Sequence, residues 1–384
     1  MRSLRDIMRK GRKYVMTTRH GRANLNIKFS FLTYFRTPKK GRKMENENST
    51  IYLNYLRVFA ALAVLMLHVI GTPVTFCQNA YSTAELFWVR FSRNLMNWCV
   101  PVFVMITGIL FLNPNKQLPL KKLFKKYIFR FALVITIFGT LYCFMELFFY
   151  DRNVSFYKIM LAIKNTITGK SWDHMWYVYM TIGLYCFLPA IKIFVNNVGD
   201  NILYFTIAIL FIFSSMVPYI DNFVEFANHF PSISIYLFYL LLGYALHYKN
   251  FFLKNILSIL ILFLYCAYVV LIQFYPFFLI ENNALLKTLG YESPIVVLTT
   301  LSICSLCKNI KNESPLINFI APLTFGVYIM HPVFINFLYK FLHFTVEKYS
   351  LLFSLTIVLV VTMIGSLFIT WIVRLIPFVR KHIL

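Results

Sequence analysis

The chain has 384 residues, of which 59% are hydrophobic and only 14% are charged, and its mean hydropathy is +0.67. Soluble domains are about 45–50% apolar, so these values exclude an ordinary water-soluble fold. The formal net charge of +24 does not indicate a nucleic-acid partner, because the basic residues fall in short runs between apolar segments and form no known binding motif. This pattern is typical of a membrane protein that crosses the bilayer several times.

The beginning of the chain is set apart by its charge. Residues 1–43 contain fourteen Lys or Arg residues and one acidic residue, Asp6. They have neither the apolar core nor the small-residue cleavage site of a secretory signal. We expect residues 1–48 to form a basic, disordered cytoplasmic extension and residues 49–380 to form the transmembrane domain. Whether the extension binds anionic lipid or is dispensable stays open.

Ten apolar runs are long enough to cross about 30 Å of hydrocarbon as helices. They lie near residues 52–71, 95–112, 128–149, 175–195, 201–219, 233–248, 255–279, 293–307, 316–338 and 350–373. Lysines lie at the ends of the second, fourth, sixth and eighth runs, whereas acidic residues occupy the opposite loops. The asymmetry predicts an all-α integral membrane protein, a bundle of about ten transmembrane helices with both termini cytoplasmic. The corresponding location is the inner (cytoplasmic) membrane.

The longest predicted outer loop, residues 150–174, contains a helical pattern of its own. Phe156, Ile159, Met160 and Ile163 recur at the spacing of one helix face. Such a short amphipathic segment is typical of a helix that lies on the membrane surface. In that position it would cover a site below it.

Two ionisable residues lie within the first apolar run. Ionisable groups are costly in hydrocarbon, so each is a candidate functional residue. Arg57 and His68 are eleven positions apart, which is three helical turns and places them on one face about 16 Å apart. The alternatives are an arginine that extends to the interface and a histidine that forms a structural hydrogen bond to a neighbouring helix.

A second histidine, His331, lies in the ninth run and is followed by Pro332. A proline frees a backbone carbonyl, which a polar cavity can use; the alternative is a packing histidine beside a helix kink. Glu146 lies near the outer end of the third run. We consider it a possible partner for a buried histidine.

The start of the fourth run carries Asp173, His174 and Trp176. These side chains offer hydrogen bonds and an aromatic face, which suit a sugar on the outer side. An interfacial aromatic belt explains them equally well.

A basic cluster marks the inner end of the third run. Its members include Lys125, Lys126 and Arg130. Lys and Arg match phosphate oxygens, so the cluster is a candidate binding site for the phosphates of a cytoplasmic donor. It is also the kind of signal that only sets topology, and both interpretations stay open.

Five segments in order resemble the membrane acyltransferase-3 family. They are the Arg57 and His68 pair, VPVFVMITGILFL, KKYIFR, HMWYVYMTIGLYCFLPAI and GVYIMHPVF. The likeness covers about residues 50–380. It implies ten core helices and transfer of an acyl group, usually acetyl from cytoplasmic acetyl-CoA, to extracytoplasmic glycans.

The resemblance also implies roles for individual residues. It makes His68 catalytic, Arg57 its partner and Arg130 the second arginine of an R-x-x-R motif that contacts the donor. Tyr127 stands where the first arginine of that motif is common, and Lys126 would supply charge without the planar fork of arginine. The donor site therefore departs from the family pattern.

We therefore predict an O-acetyltransferase that uses acetyl-CoA, or another acyl-CoA, as co-substrate and binds no cofactor or metal. Its partners would be the lipid bilayer, the acyl-CoA donor and a glycan acceptor on the outer side, with His68 as general base. Direct transfer and an acyl-enzyme intermediate both remain open. The alternative from another class is a transporter or flippase of a lipid-linked glycan, although such proteins often have repeated halves and this sequence shows no internal repeat.

Overall fold

The computed structural model describes residues 50–76, 82–224, 234–274, 288–342, 344 and 350–384. The described residues are helical and include no β-strand. The predicted extension, residues 1–48, lies outside them.

The first half of the described chain contains ten α-helices. They are α1 Ile51–Phe76, α2 Thr83–Asn94, α3 Cys99–Phe111, α4 Leu120–Lys122, α5 Phe129–Val134, α6 Thr140–Asp151, α7 Phe156–Ile167, α8 Trp176–Asn197, α9 Asp200–Phe211 and α10 Val217–Val224. The π-helical turns Leu123–Ile128 and Ile135–Gly139 join α4, α5 and α6 into one continuous helix. Another π-helical turn, Ile212–Met216, joins α9 to α10, and a 3₁₀ turn, Asp173–Met175, precedes α8.

The second half of the described chain contains seven α-helices. Its helices are α11 Ile235–Tyr248, α12 Asn255–Phe274, α13 Pro294–Cys307, α14 Pro315–Ile320, α15 Thr324–Asn336, α16 Leu351–Val373 and α17 Pro377–His382. A 3₁₀ turn, Ala321–Leu323, connects α14 to α15, and a π-helical turn, Phe337–Phe341, extends α15.

Eight helical stretches of the described residues are long and apolar enough to cross a membrane, and the protein is therefore a multi-pass membrane protein. They are Ile51–Thr72, Ala84–Phe111, Leu120–Tyr150, Asp173–Asn197, Asp200–Asn222, Asn255–Phe274, Pro315–Phe341 and Leu351–Val373. Each of the ten predicted runs falls on a helix, but α11 and α13 have only 14 residues each, short of the roughly 20 that a span needs. The second stretch also begins at Ala84, earlier than the predicted residue 95, because α2 continues the apolar helix toward its N-terminus.

Helix α1 lies in the middle of the bundle. It packs against α2, α3, α15 and α16, and its residues Leu56 and Ala60 are completely buried. The helix that carries Arg57 and His68 therefore has a buried face, whereas Phe59 and Leu62 are exposed.

Helix α3 crosses α11 at two glycines. A Cβ atom on Gly108 would overlap the Leu240 carbonyl, and one on Gly243 would overlap the Met105 carbonyl. Small residues allow helix backbones to approach in membranes, where packing drives association. The two glycines therefore hold these helices in direct backbone contact.

The amphipathic segment predicted in the 150–174 region is helix α7. It begins after Ser155, whose side chain accepts a hydrogen bond from the backbone N–H of Lys158 at 3.3 Å, as a helix cap does. Helix α7 packs against α6. Its apolar residues Phe156, Ile159 and Met160 are exposed, which leaves an apolar face outside the protein.

Candidate active site

Three histidines from separate parts of the sequence meet near the C-terminal half of α1. The His68 ring lies 5.0 Å from the His331 ring of α15, and the His331 ring lies 5.7 Å from that of His174. His174 and His331 are buried, and His68 is partly buried. The structure thus brings together one predicted catalytic residue and two predicted supporting residues.

Pro332 explains how the ring of His331 is held. Proline has no N–H, so the Tyr328 carbonyl lacks its usual helical donor from position 332. The Nδ1 atom of His331 lies 2.8 Å from this oxygen and 3.3 Å from the Val327 carbonyl oxygen. A carbonyl only accepts hydrogen bonds, so Nδ1 is the protonated nitrogen and Nε2 keeps its lone pair.

His174 is fixed by aromatic neighbours. Its ring lies 5.5 Å from that of Tyr142, which stacks on Trp172 at 4.6 Å, and the Tyr328 hydroxyl donates to its backbone carbonyl. Neither His174 Nε2 nor His331 Nε2 has a hydrogen-bond partner among the described residues. Buried nitrogens without partners destabilise a fold, and catalytic sites are one place where they are found.

A cavity of about 560 Å³ adjoins the histidines. Its lining comes from α1, α2, α6, α15 and the segment from α7 to α8: Leu67, His68, Gly71, Thr72, Arg93, Cys143, Glu146, Leu147, Asn165, Lys170, Ser171, Trp172, Asp173, His174, Pro332, Ile335, Asn336 and Lys340. His331 lies directly before one of these residues, Pro332. Trp176 is not in the lining and instead stacks on Tyr291 at 5.9 Å, as an aromatic belt residue would.

Glu146 lines the cavity, but its partner is not a histidine, and the sequence-based expectation is corrected here. Both of its carboxylate oxygens accept hydrogen bonds from Lys340 Nζ at 2.7 Å. One of them also accepts from Trp172 Nε1 at 3.2 Å. The lysine lies 194 positions away, on the π-helical turn after α15, and only the tertiary fold brings it to Glu146.

Arg93 is a residue of the cavity that sequence reasoning missed. It lies at the end of α2, just before the predicted second run, and therefore outside the apolar segments in which ionisable residues indicate function. Its side chain lies against Gly71, with Nε 3.4 Å from the position that a Cβ atom would occupy there. The signal that identifies Arg93 is a basic residue next to an apolar run on the same side of the bilayer as His68.

Arg57 lies outside this cavity. It is partly buried, and its Nη1 donates to the side-chain oxygen of Asn54 at 3.2 Å. Asn54 in turn donates to the side-chain oxygen of Asn318 in α14 at 3.0 Å. The structure therefore places Arg57 and His68 at separate levels of α1, as their spacing predicted.

The comparisons with known proteins identify the family. A family model described as an acyltransferase domain, that of the acyltransferase-3 family, matches residues 50–374. The chain belongs to the acyltransferase-3 family. Together with the membrane-type helices, this makes the protein a membrane acyltransferase and disfavours the transporter. No curated protein and no solved structure matched the chain.

The predicted donor end of this acyltransferase-3 protein lies at the start of α5. Arg130 is partly buried, and its Nε donates to the Ile383 carbonyl at 2.9 Å. Its guanidinium lies over the ring of Phe325, 5.3 Å from the centroid. Lys125 and Lys126 are exposed.

A row of rings on α15 connects Arg130 to the histidines. Phe325 stacks on Tyr328 at 6.4 Å, and Tyr328 lies 6.1 Å from His331 and 5.8 Å from His174. The six steps from Phe325 to His331 span about 9 Å of helix. One face of α15 thus extends from the guanidinium of Arg130 to the histidines. No group of His, Cys, Asp and Glu in the described ranges is arranged to hold a metal ion.

Proposed function

We propose that this membrane acyltransferase transfers an acetyl group from cytoplasmic acetyl-CoA to a hydroxyl of a cell-envelope polysaccharide or lipid-linked glycan. The membrane would be the inner (cytoplasmic) membrane, and the acceptor would enter from its outer side. The observation that supports the proposal best is the group of three histidines beside a large cavity. Imidazole exchanges protons near neutral pH, and acyl transfer to a hydroxyl needs a base.

The donor would bind at the opposite end of the bundle. Its phosphates would lie near Arg130, Lys126 and Lys125, which carry positive charge suited to phosphate oxygens. Its acyl-bearing arm would follow the rings of Phe325 and Tyr328 toward the histidines. Arg57, about 16 Å from His68 along α1, would contact the acyl-bearing arm of the donor.

The chemistry at the cavity requires one base and one leaving group. His68 takes the proton of the acceptor hydroxyl while the oxygen attacks the thioester carbonyl. The new C–O bond forms, the C–S bond breaks, and the CoA thiolate takes up a proton. His331 offers a second lone pair beside His68, to which the proton can pass, and an acyl-enzyme route would use the same residues in two steps.

The test measures CoA release and labelled product in vesicles that contain the purified protein, acetyl-CoA labelled in the acetyl group and envelope glycan. We expect His68→Ala to lower transfer by about 10²–10⁴-fold, the usual effect of losing a general base. Arg57→Ala should also abolish transfer, because we assign it donor positioning. Arg57→Lys keeps the charge but loses the planar fork and separates the two contributions.

The control is His382→Ala, which removes a histidine of α17 that does not line the cavity. It should transfer at the wild-type rate. Each variant is also checked for abundance and insertion, since a structural hydrogen bond between membrane helices contributes only about 0.6 kcal/mol on average. Wild-type transfer by His68→Ala would show that the assignment of the base is wrong.

A further inference from the structure

Some charged residues of the cavity form ion pairs with each other, and others do not. Five of them line it: Arg93, Glu146, Lys170, Asp173 and Lys340. Lys340 and Glu146 form an ion pair with each other, so their charges cancel. Arg93 and Lys170 then face one remaining carboxylate, Asp173, and the cavity carries a net positive charge.

The guanidinium of Arg93 has no hydrogen-bond or ion-pair partner among the residues that the structure describes. Within the described ranges, its side chain donates no hydrogen bond and forms no ion pair, although it lies in contact distance of Gly71 on α1. Arg93 is exposed and lines the cavity, so its guanidinium is accessible to a ligand that enters there. A planar group with five N–H donors is also the side chain best suited to a carboxylate or a phosphate.

The position of Arg93 relates it to the proposed base. Gly71 follows His68 by three positions on α1, which is one helical turn and about 4.5 Å along the axis. The guanidinium against Gly71 and the imidazole of His68 line the same cavity. A ligand held by Arg93 therefore has its neighbouring groups beside His68.

We infer that the acceptor is an anionic glycan, whose carboxylate or phosphate binds Arg93 while an adjacent hydroxyl reaches His68. This inference rests on the proposed function and specifies its substrate class. Arg93 is the specificity-determining residue, and Lys170 adds positive charge to the same cavity. Neutral glycans bind weakly, because they leave the arginine without a partner.

The experiment separates envelope glycan into neutral and acidic fractions by anion exchange and offers each to vesicles with labelled acetyl-CoA. We expect the label in the acidic fraction. Arg93→Gln should raise the KM for this fraction by about tenfold or more, the scale of a lost charge-assisted hydrogen bond, while the KM for acetyl-CoA stays unchanged. Arg93→Lys should restore part of the loss.

Two treatments of the acidic fraction identify the anion. One treatment reduces carboxylates to alcohols, and the other removes phosphates with hydrofluoric acid. The treatment that destroys acceptor activity identifies the anion that Arg93 binds. The matched control is Arg90→Gln, an exposed arginine of the same helix that does not line the cavity, and it should leave the KM unchanged.

Three results would overturn the inference. They are transfer to neutral glycan alone, an unchanged KM in Arg93→Gln, and activity that survives both treatments. If His68-dependent transfer to neutral glycan is found, the proposed function stands and only the anionic acceptor is wrong. If the wild-type protein labels neither fraction, both the proposed function and the anionic acceptor are wrong.

Discussion

Replacing Pro332 with alanine tests the role of the lone pair on His331 Nε2. The substitution returns an N–H group to position 332, where it points toward the Tyr328 carbonyl that now accepts from His331 Nδ1 at 2.8 Å. The carbonyl has two lone pairs, so the new donor weakens the imidazole bond rather than excluding it. The tautomer of His331 that is protonated on Nδ1 is then less strongly favoured.

The expected loss of acyl transfer in Pro332→Ala corresponds to the energy of one hydrogen bond. A net intramolecular hydrogen bond contributes about 0.5–1.5 kcal/mol, and about 1.4 kcal/mol corresponds to tenfold in an equilibrium constant. Acyl transfer should therefore fall about twofold to tenfold. The free energy of unfolding should rise or stay unchanged, because a proline inside a helix removes a backbone hydrogen bond. A fall in activity without a fall in stability is a signature that a packing defect does not give.

The assay combines transfer rates in vesicles, unfolding in detergent and the ¹⁵N chemical shifts of the His331 ring, which report the protonated nitrogen directly. Pro189→Ala serves as the control, since Pro189 lies inside α8 and follows a leucine rather than a histidine. Wild-type transfer by Pro332→Ala, with a measured shift of the proton to Nε2, would refute a role for the His331 lone pair.

Two further predictions concern packing and topology. Gly243→Ala should destabilise the protein by about 1–3 kcal/mol or more in detergent unfolding, because the new Cβ would overlap the Met105 carbonyl. The control is Gly183→Ala, whose Cβ meets nothing within 4 Å and which should not destabilise the protein. Equal effects of the two substitutions would contradict the proposed crossing. After replacement of the native cysteines, a cysteine at the exposed Tyr157 should react with an impermeant reagent from outside and one at the exposed Lys254 only from the cytoplasm. Labelling in the opposite order would reverse the topology.

Much of the fold was predictable because apolar runs of spanning length have few alternatives in a membrane. Each of the ten predicted runs contains a helix among the described residues, and α7 was predicted from four apolar residues at helical spacing. The predicted runs 233–248 and 293–307 match α11 and α13 to within two residues, so the short length of these helices was already present in the hydropathy pattern. Helix α2 extends the second stretch back to Ala84, although its charged residues place it outside the predicted run.

The three histidines of the candidate site were predicted individually but not as an arrangement, and Arg93 was missed. His68, His174 and His331 each stood out as polar groups in apolar surroundings. Their proximity depends on how α1, α8 and α15 pack, which the sequence pattern does not encode. The Glu146 and Lys340 pair has the same origin.

The π-helical turn Ile135–Gly139 shows how one irregular turn connects the two ends of the site. Glu146 comes sixteen residues after Arg130, and in a regular α-helix that spacing would leave the two side chains about 160° apart around the axis. One π-helical turn adds a residue without advancing the helical phase, which reduces the angle to about 60°. The insertion therefore turns the cavity glutamate toward the side of the helix that also carries the donor-end arginine. A single continuous helix can in this way face the interior of the bundle at both of its ends.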